Sequence, residues 1–494
     1  MRYSMRSFCP FKSPLCPWFV RRVLILLVMG LSCWQQGSSA QPIEDPGPAR
    51  WPAFLGIGAS PIDPDSIPIE WSSHSNLAWK INTPGYGQSS PVIWGDRVYL
   101  TSVEGPMKET YHLLCIDLKG GTLLWDRSVG SDHPVKSTGY ISRAAPTPVV
   151  DADSVIAFFE SGNLVAWTHD GERIWERSLE KDYGPIQAEF GLGASPVQTR
   201  DSIFILVDHD RPGYLLKIDK RTGKTVWKAD RPAKAAWSSP ALVRLGGRTL
   251  VVTSSRGSID VYDAMSGETV CDFCDVVGNT SNTPLPDAGG RFLIGASQGR
   301  EAGKKITNLA MQLTLDSAGR WSLVKRWDAG RASSTFGSPI VYGGCAYWVG
   351  RKGILNCLDA ESGKLNYKQR LGSSNWATPF GLGNRIYFFG KDGETTVIAT
   401  GPQFKQLAVN RFDSATDQPA ATETSEDSAS ASTGETRKDG ANEPAVPADE
   451  PKPRMPQVTY GVAAVSGSLL IRTGDTLYCV RSLVSSNRQN DPED

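Results

Sequence analysis

A Ser/Thr-Pro dipeptide recurs seven times, with its hydroxyl residue at Ser90, Thr147, Ser195, Ser239, Thr283, Ser338 and Thr378. Successive spacings are 57, 48, 44, 44, 55 and 40 residues. A period of this size holds one supersecondary unit, which cannot bury its apolar faces alone and must stack on copies of itself. The first copy opens Ser89-Ser90-Pro91-Val92 and continues Gly-Asp-Arg-Val-Tyr-Leu at 95–100 and Leu-Leu-Cys-Ile-Asp at 113–117. It turns at Gly121 and closes Leu-Leu-Trp-Asp at 123–126. Such short apolar runs between turn residues read as four strands, A to D. With 49 Gly and 15 Trp in 494 residues, and no amphipathic helix of ten residues after the N-terminus, the chain is predicted to be all-β.

Each unit carries a second signature, Asp-x3-Gly-x3-Trp. Asp117/Gly121/Trp125 and Asp219/Gly223/Trp227 are complete copies, Asp359/Gly363/Tyr367 and Asp263/Gly267/Cys271 vary the last member, and the second unit keeps Gly171 and Trp175 but has Trp167 in place of Asp. The spacing suits a C–D turn. Asp can accept from backbone N–H groups just ahead of it, Gly supplies a positive φ, and the aromatic ring on strand D can pack between sheets.

The last unit has strands A, B and C at 460–465, 468–471 and 475–480 and then stops without a D strand. At the other end, 76–80, centred on Trp79, reads as a D strand with no A to C before it. Placing the two together completes an eighth blade. The prediction is an eight-bladed β-propeller of four-stranded antiparallel blades, closed by the N-terminal strand.

The Asp-x3-Gly-x3-Trp unit over roughly residues 71–485 resembles the repeat of the PQQ-binding-like, quinoprotein-type β-propeller family, and Trp51-Pro52-Ala53-Phe54-Leu55-Gly56 resembles the aromatic lead-in of exported propellers in that group. The resemblance implies the propeller fold, shared by the lipoprotein of the outer-membrane β-barrel assembly machinery and by quinoprotein alcohol dehydrogenases. It leaves function open. The dehydrogenases imply a vicinal Cys-Cys disulfide and a Trp on either face of the quinone, with Ca²⁺ held by Glu, Asn and Asp beside an Asp base. This chain has no adjacent cysteines and no such trio with a companion base. No cofactor is expected, and PQQ with calcium belongs only to the alternative reading, a dehydrogenase acting on alcohols or sugars.

Outside the repeats, the apolar run 23–31 follows Arg21-Arg22 and precedes Ser38-Ser39-Ala40, the pattern of a secretory signal over 1–40, cleaved after Ala40. The run is too short to span a bilayer. An alternative reading lipid-anchors the chain at Cys33, although Gly30-Leu31-Ser32 departs from a lipobox, and the paired arginines resemble a twin-arginine signal. Both routes lead to the periplasm or cell envelope. Without that segment, 47 basic face 52 acidic residues with no basic stripe, which excludes nucleic acid as a partner. Residues 41–70 read as the lead-in. The stretch 413–457, with ten acidic residues, four basic ones and no aromatic, reads as a disordered insert inside the propeller, and 486–494 as a flexible tail. No integral membrane span is expected after the signal, and the chain reads as a monomer.

Cys115, Cys357 and Cys479 recur at one repeat position, so structural thiols are expected. A hairpin turning at Arg351-Lys352 would set Cys345 opposite 358, sending Cys345 and Cys357 to opposite faces. Cys271-x-x-Cys274 has no second ligand pair. The five histidines, at 74, 112, 133, 169 and 209, show no ligand spacing. His209 and the Asp151-Ala152-Asp153 run read as turns. No catalytic residue and no metal ligand is assigned.

Geometry points instead to the channel mouth. Strand A is innermost, so residues three before each Pro should rim one end: Gln88, Ala145, Gly193, Trp237, Ser281, Phe336 and Trp376, with Tyr460 in the last unit. Arg143 and Asn375 lie nearby in sequence. Two readings stay open, aromatic rings that plug the channel or a rim that binds a ligand, protein or peptide.

Overall fold

The structure is a computed structural model that describes residues 47–137, 141–296, 307–412 and 458–483. The expected signal segment with Cys33, the acidic insert and the tail from 484 lie outside these residues. Eight antiparallel sheets follow one another along the chain, and the fold is the predicted eight-bladed β-propeller. Its eighth sheet joins Thr459–Val465, Ser468–Thr473 and Thr476–Val480 to Leu77–Asn82 from the front of the fold. Trp79 stands opposite Cys479 and Lys80 opposite Tyr478.

Burial follows from the stacking. Middle strands, such as Ser202–Val207 and Cys345–Val349, are buried at every position because a neighbouring blade covers each face. The outer D strands alternate with solvent, as in Thr225–Arg231.

Two contacts repeat around the ring. The first is the C–D turn. Asp219 Oδ1 accepts from the Thr222 N–H and hydroxyl at 2.8 and 2.6 Å, Asp359 does the same with Ser362, Asp263 accepts from two backbone N–H groups, and Asp117 accepts from that of Gly120. Gly223, at φ +69°, closes its turn where the tryptophan of the preceding blade lies down: a Cβ there would stand 2.7 Å from the Trp175 ring. Gly121 meets Trp79, Gly267 meets Trp227 and Gly363 meets Trp327 in the same way, while Gly171 meets Arg127. These four indoles, and Trp125 with them, also donate to a carbonyl in the next blade's turn: Trp79 to Leu118 (3.0 Å), Trp125 to His169 (2.9 Å), Trp175 to Lys220 (2.7 Å), Trp227 to Ala264 (3.3 Å) and Trp327 to Ala360 (3.1 Å).

The second contact is a belt of hydroxyls. The backbone N–H of Ser90 donates to Thr147 Oγ1 (2.9 Å), Thr147 to Ser195 (3.0 Å), Ser195 to Ser239 (2.8 Å), Ser239 to Thr283 (3.0 Å), Thr283 to Ser338 (2.9 Å) and Ser338 to Thr378 (3.0 Å). All six bonds are buried, and they tie the inner segments of blades one to seven in succession. The corresponding position of blade eight is Val462, which has no hydroxyl. At the other seam of blade eight, Arg472 reaches across to blade one and donates to Ser89 Oγ at 2.7 Å.

Three details depart from expectation. Blade five has three laddered strands, Arg291–Ile294, Leu309–Leu315 and Trp321–Asp328, and no A strand. Pro284 and Pro286 take two N–H groups from that segment, and Asp287 folds it into a turn by accepting from Gly289 and Arg291. Blade one has a fifth, innermost strand, Arg50–Trp51. Cys345 stands opposite Asp359 and Tyr347 opposite Cys357, so Cys345 and Cys357 share a face. The turn runs from Gly350 to Gly353, with the Gly350 N–H bonded to the Ile354 carbonyl, and is one residue longer than a two-residue hairpin.

The belt predicts a cost at each hydroxyl. Ser239→Ala leaves the buried Ser195 N–H without its acceptor and should destabilise by about 1–3 kcal/mol in urea unfolding followed by tryptophan fluorescence. Thr283→Ser keeps the oxygen and should cost only about 0.8 kcal/mol for the lost methyl group.

Candidate functional site

In blades one to four, six and seven strand A starts just after the Ser/Thr step, so these steps mark one end of the channel, here the upper end, and the A–B turns mark the lower end. The channel holds a cavity of about 690 Å³, within the range of ligand pockets. Trp237, Ser281, Phe336, Trp376 and Tyr460 all line it. Gly193 lines it too, whereas Ala145, Gln88, Arg143 and Asn375 lie outside its lining. The Gln88 side chain accepts from the Arg143 N–H at 2.8 Å while the Arg143 carbonyl accepts from Gln88, so they clamp each other. Asn375 is buried, and its carbonyl accepts from the Thr335 hydroxyl at 2.6 Å.

The aromatic side chains are not independent. Phe336 and Trp376 have ring centres 4.6 Å apart, Trp376 and Tyr460 5.7 Å, and Tyr460 and Tyr86 6.0 Å, with the two phenol oxygens 2.7 Å apart. The Arg143 guanidinium lies 3.5 Å from the centre of the Tyr86 ring. Burial, reinforced by Tyr460, holds the Tyr86 phenol well above its ordinary pKa, so it stays neutral and Arg143 meets a π face. An aromatic arc thus runs over blades six, seven, eight and one. Opposite it, Trp237 packs on Phe190 at 6.0 Å and donates to the Gly191 carbonyl at 2.8 Å. Phe336 is 55% exposed. Sequence reasoning missed Tyr86 and Phe190, because neither falls on the position three before a proline.

The lower end is built differently. Trp51 pairs with Ile93 on the inner edge of blade one, and the Pro52 carbonyl accepts from Val150 of blade two (2.9 Å) and from the Gln198 side chain of blade three (3.2 Å). Farther along, the Asp63 N–H donates to Ser466 and Ser66 accepts from Gly467 in blade eight, and Arg385 of blade seven donates to the Ile67 carbonyl at 2.9 Å. The lead-in therefore lies across blades seven, eight, one, two and three. Its Trp51, Phe54, Leu55 and Ile62 line the same cavity. The aromatic WPAFLG run was visible in sequence as an exported-propeller feature, but nothing there placed it in the channel.

Of the residues lining the cavity, only Asp287, Arg291, Arg326 and Glu361 are charged, and Asp287 and Glu361 both pair with Arg291. A calcium-held quinone does not fit this lining. Calcium takes six to eight oxygen ligands rich in carboxylate, and the two carboxylates here already neutralise one arginine. Among the described residues no group of three or more His, Cys, Asp or Glu is placed to hold a metal. The buried pairs elsewhere are cross-links: Arg231 grips both oxygens of Asp208 at 2.8 and 3.0 Å, and Lys108 donates to Glu160 at 3.2 Å. His209 accepts from the Gln187 N–H at 3.0 Å, and Asp151 accepts from Asp153 and Ser154 within its own turn.

The family model described as outer membrane protein assembly factor BamB matches residues 69–205, 184–272 and 294–406, well over half of the chain. The chain belongs to this BamB family. No curated protein matches its sequence. Among solved structures, it is similar to BamB from Moraxella catarrhalis, at 11% identity and a TM-score of 0.52, over 82% of this chain and 99% of that one. A quinohaemoprotein alcohol dehydrogenase from Pseudomonas putida matches at 12% identity and 0.52, over 91% and 82%. The computationally designed protein Ika8 matches at 12% and 0.50, over 81% and 98%. At such identities the likeness is one of fold. Among the described residues no helix is long and apolar enough to cross a membrane.

The six described cysteines are free thiols. Burial pushes Cys115 and Cys357 up to about 12, and Cys271 and Cys479 up to about 11. Cys274 alone is exposed. Maleimide at pH 7 should therefore label Cys274 first in the folded protein, and Cys115, Cys345, Cys357 and Cys479 only on unfolding, as read by peptide mass mapping.

Proposed function

We propose that this chain is an exported, non-catalytic β-propeller scaffold of the cell envelope, monomeric, that binds a protein, peptide or small ligand at the aromatic mouth of its channel. One observation carries the reading: Phe336, Trp376 and Tyr460, continued by Tyr86, form an arc facing Trp237 over a cavity whose charged lining is confined to Asp287, Arg291, Arg326 and Glu361. Large rigid rings around a recess are the groups that dominate binding hot spots. They supply contact area without acid–base or nucleophilic chemistry.

Export rests on the signal-like segment at 1–40, and an envelope partner accords with a family described by outer-membrane protein assembly. The alternative, a PQQ-dependent dehydrogenase, finds support only in the fold it shares with quinohaemoprotein alcohol dehydrogenase.

Replacing Trp237 and Trp376 together by Ala should lower capture of envelope proteins or peptides by immobilised chain at least tenfold, with the melting curve little changed. Unchanged capture removes the mouth as the site. Adding PQQ and Ca²⁺ should give no bound quinone spectrum and no dye-linked alcohol oxidation. Appearance of both would establish the dehydrogenase.

A further inference from the structure

The lead-in shows what the inner edge of a blade can do. In blade one, Trp51 pairs with Ile93, and the Ala49 carbonyl accepts from the Gly95 N–H at 2.8 Å, so an extended segment adds to the sheet from inside the channel. The same edge stands open in blade six. Its strand A, Ile340–Tyr342, turns through Gly343 and Gly344, both at positive φ, a tight two-residue hairpin whose flanking pair, Tyr342 and Cys345, bonds outward to strand B. By alternation, the N–H and C=O of Val341 point into the channel. Neither has a backbone partner there among the described residues.

The same hairpin recurs in blade four, whose strand Ala241–Leu245 turns through Gly246 and Gly247, but none of that strand lines the cavity, whereas Ile340, Val341 and Tyr342 of blade six do. Blades one and two have the lead-in on theirs, Pro64 lies against the turn of blade seven at Gly383, and blade five presents Pro284 and Pro286, which lack the donor. Tyr342 packs on Gly381 of blade seven, so Val341 faces blade five, where no inner strand covers it, and it is 50% exposed within the cavity. Phe54 and Leu55 line the same space. An unpaired strand edge beside apolar walls accepts an extended peptide, with main-chain bonds giving affinity and alternate side chains giving selectivity.

We infer that blade six is a strand-addition site inside the channel: an extended peptide with alternating aromatic residues enters at the mouth, pairs with Val341 and Gly343 as a fifth, innermost strand, and rests its rings on the arc of Phe336 and Trp376. This rests on the mouth being a binding site and specifies its occupant. The recognition is of backbone plus flat side chains, not of charge.

The test uses the acetylated and amidated hexapeptide Thr-Tyr-Thr-Tyr-Thr-Tyr with the full chain. Binding by calorimetry should weaken at least tenfold in Val341→Pro, which removes the channel-side N–H while sparing the ladder to strand B, and stay within twofold in Val341→Thr. Amide exchange at 341 and 343 should slow at least tenfold when peptide is added. Absence of binding to the unaltered chain, equal binding to Val341→Pro, or unprotected amides at 341 and 343 overturns strand addition, as does binding of chitotetraose in place of the peptide. The double Trp237→Ala/Trp376→Ala variant separates the readings. If it loses envelope capture while Val341→Pro does not, only the strand mode fails; if neither loses capture, the mouth fails as well. A melting curve for Val341→Pro matching that of Val341→Thr confirms that the fold is intact.

Discussion

Seven of the eight blades are joined by one recurring hydrogen bond: a backbone N–H at the start of one blade's inner segment, given to the hydroxyl of the same residue in the next. Inner strands crowd around the axis, where their first amides are buried and have no sheet partner. Buried amides without an acceptor are expensive. A Ser or Thr at this step supplies the acceptor without adding bulk, and the proline that follows removes the next N–H from the same need. Farther out, each indole lying over the next blade's glycine and donating to its turn carbonyl performs the same linkage where the sheets diverge. Between the two contacts the blades are fixed in separation and tilt, and the flat middle strands can be apolar on both faces.

That linkage explains which parts of the molecule were legible from sequence. Because every blade must meet its neighbour in the same way, the contact residues recur at the blade period, and the spacings of 57, 48, 44, 44, 55 and 40 are the separations of the belt partners themselves. The recurrence was plain, but its direction was not. Asp219, Gly223 and Trp227 read as one turn, whereas Gly223 serves the tryptophan of the preceding blade and Trp227 serves the glycine of the following one. A linear pattern does not distinguish contact within a unit from contact between units. The cysteine register failed for a related reason. One residue more in the Gly350–Gly353 turn moves Cys345 and Cys357 to the same side, and pairing by assumed turn length cannot detect it.

The site was half legible. Position three before proline is set by the belt, and Gly193, Trp237, Ser281, Phe336 and Trp376 reach the cavity from it; Ala145 does not, and Tyr460 reaches it from blade eight, which has neither the hydroxyl nor the proline. Gln88 satisfies the same rule but is drawn into a reciprocal bond with Arg143, and Asn375, one residue before Trp376, turns its carbonyl into the wall. The lead-in was read as a segment, but its place in the channel escaped prediction because its partners are spread over blades one, two, three, seven and eight. Non-periodic segments leave no internal copy to compare against.

Fold and chemistry separate cleanly in such a ring. The residues that join blades are committed: belt hydroxyls face amides, glycines face indoles, and aspartates close turns. Change is cheap only on surfaces that join nothing, chiefly the loops entering strand A and the channel-facing edges. A quinone with its calcium would require carboxylates on those surfaces. Here they carry rings at the top, prolines in blade five, and a strand of the chain's own laid against blade one. Bare main chain at Val341 and an aromatic arc above it thus stand where a bound quinone and its calcium would need carboxylates.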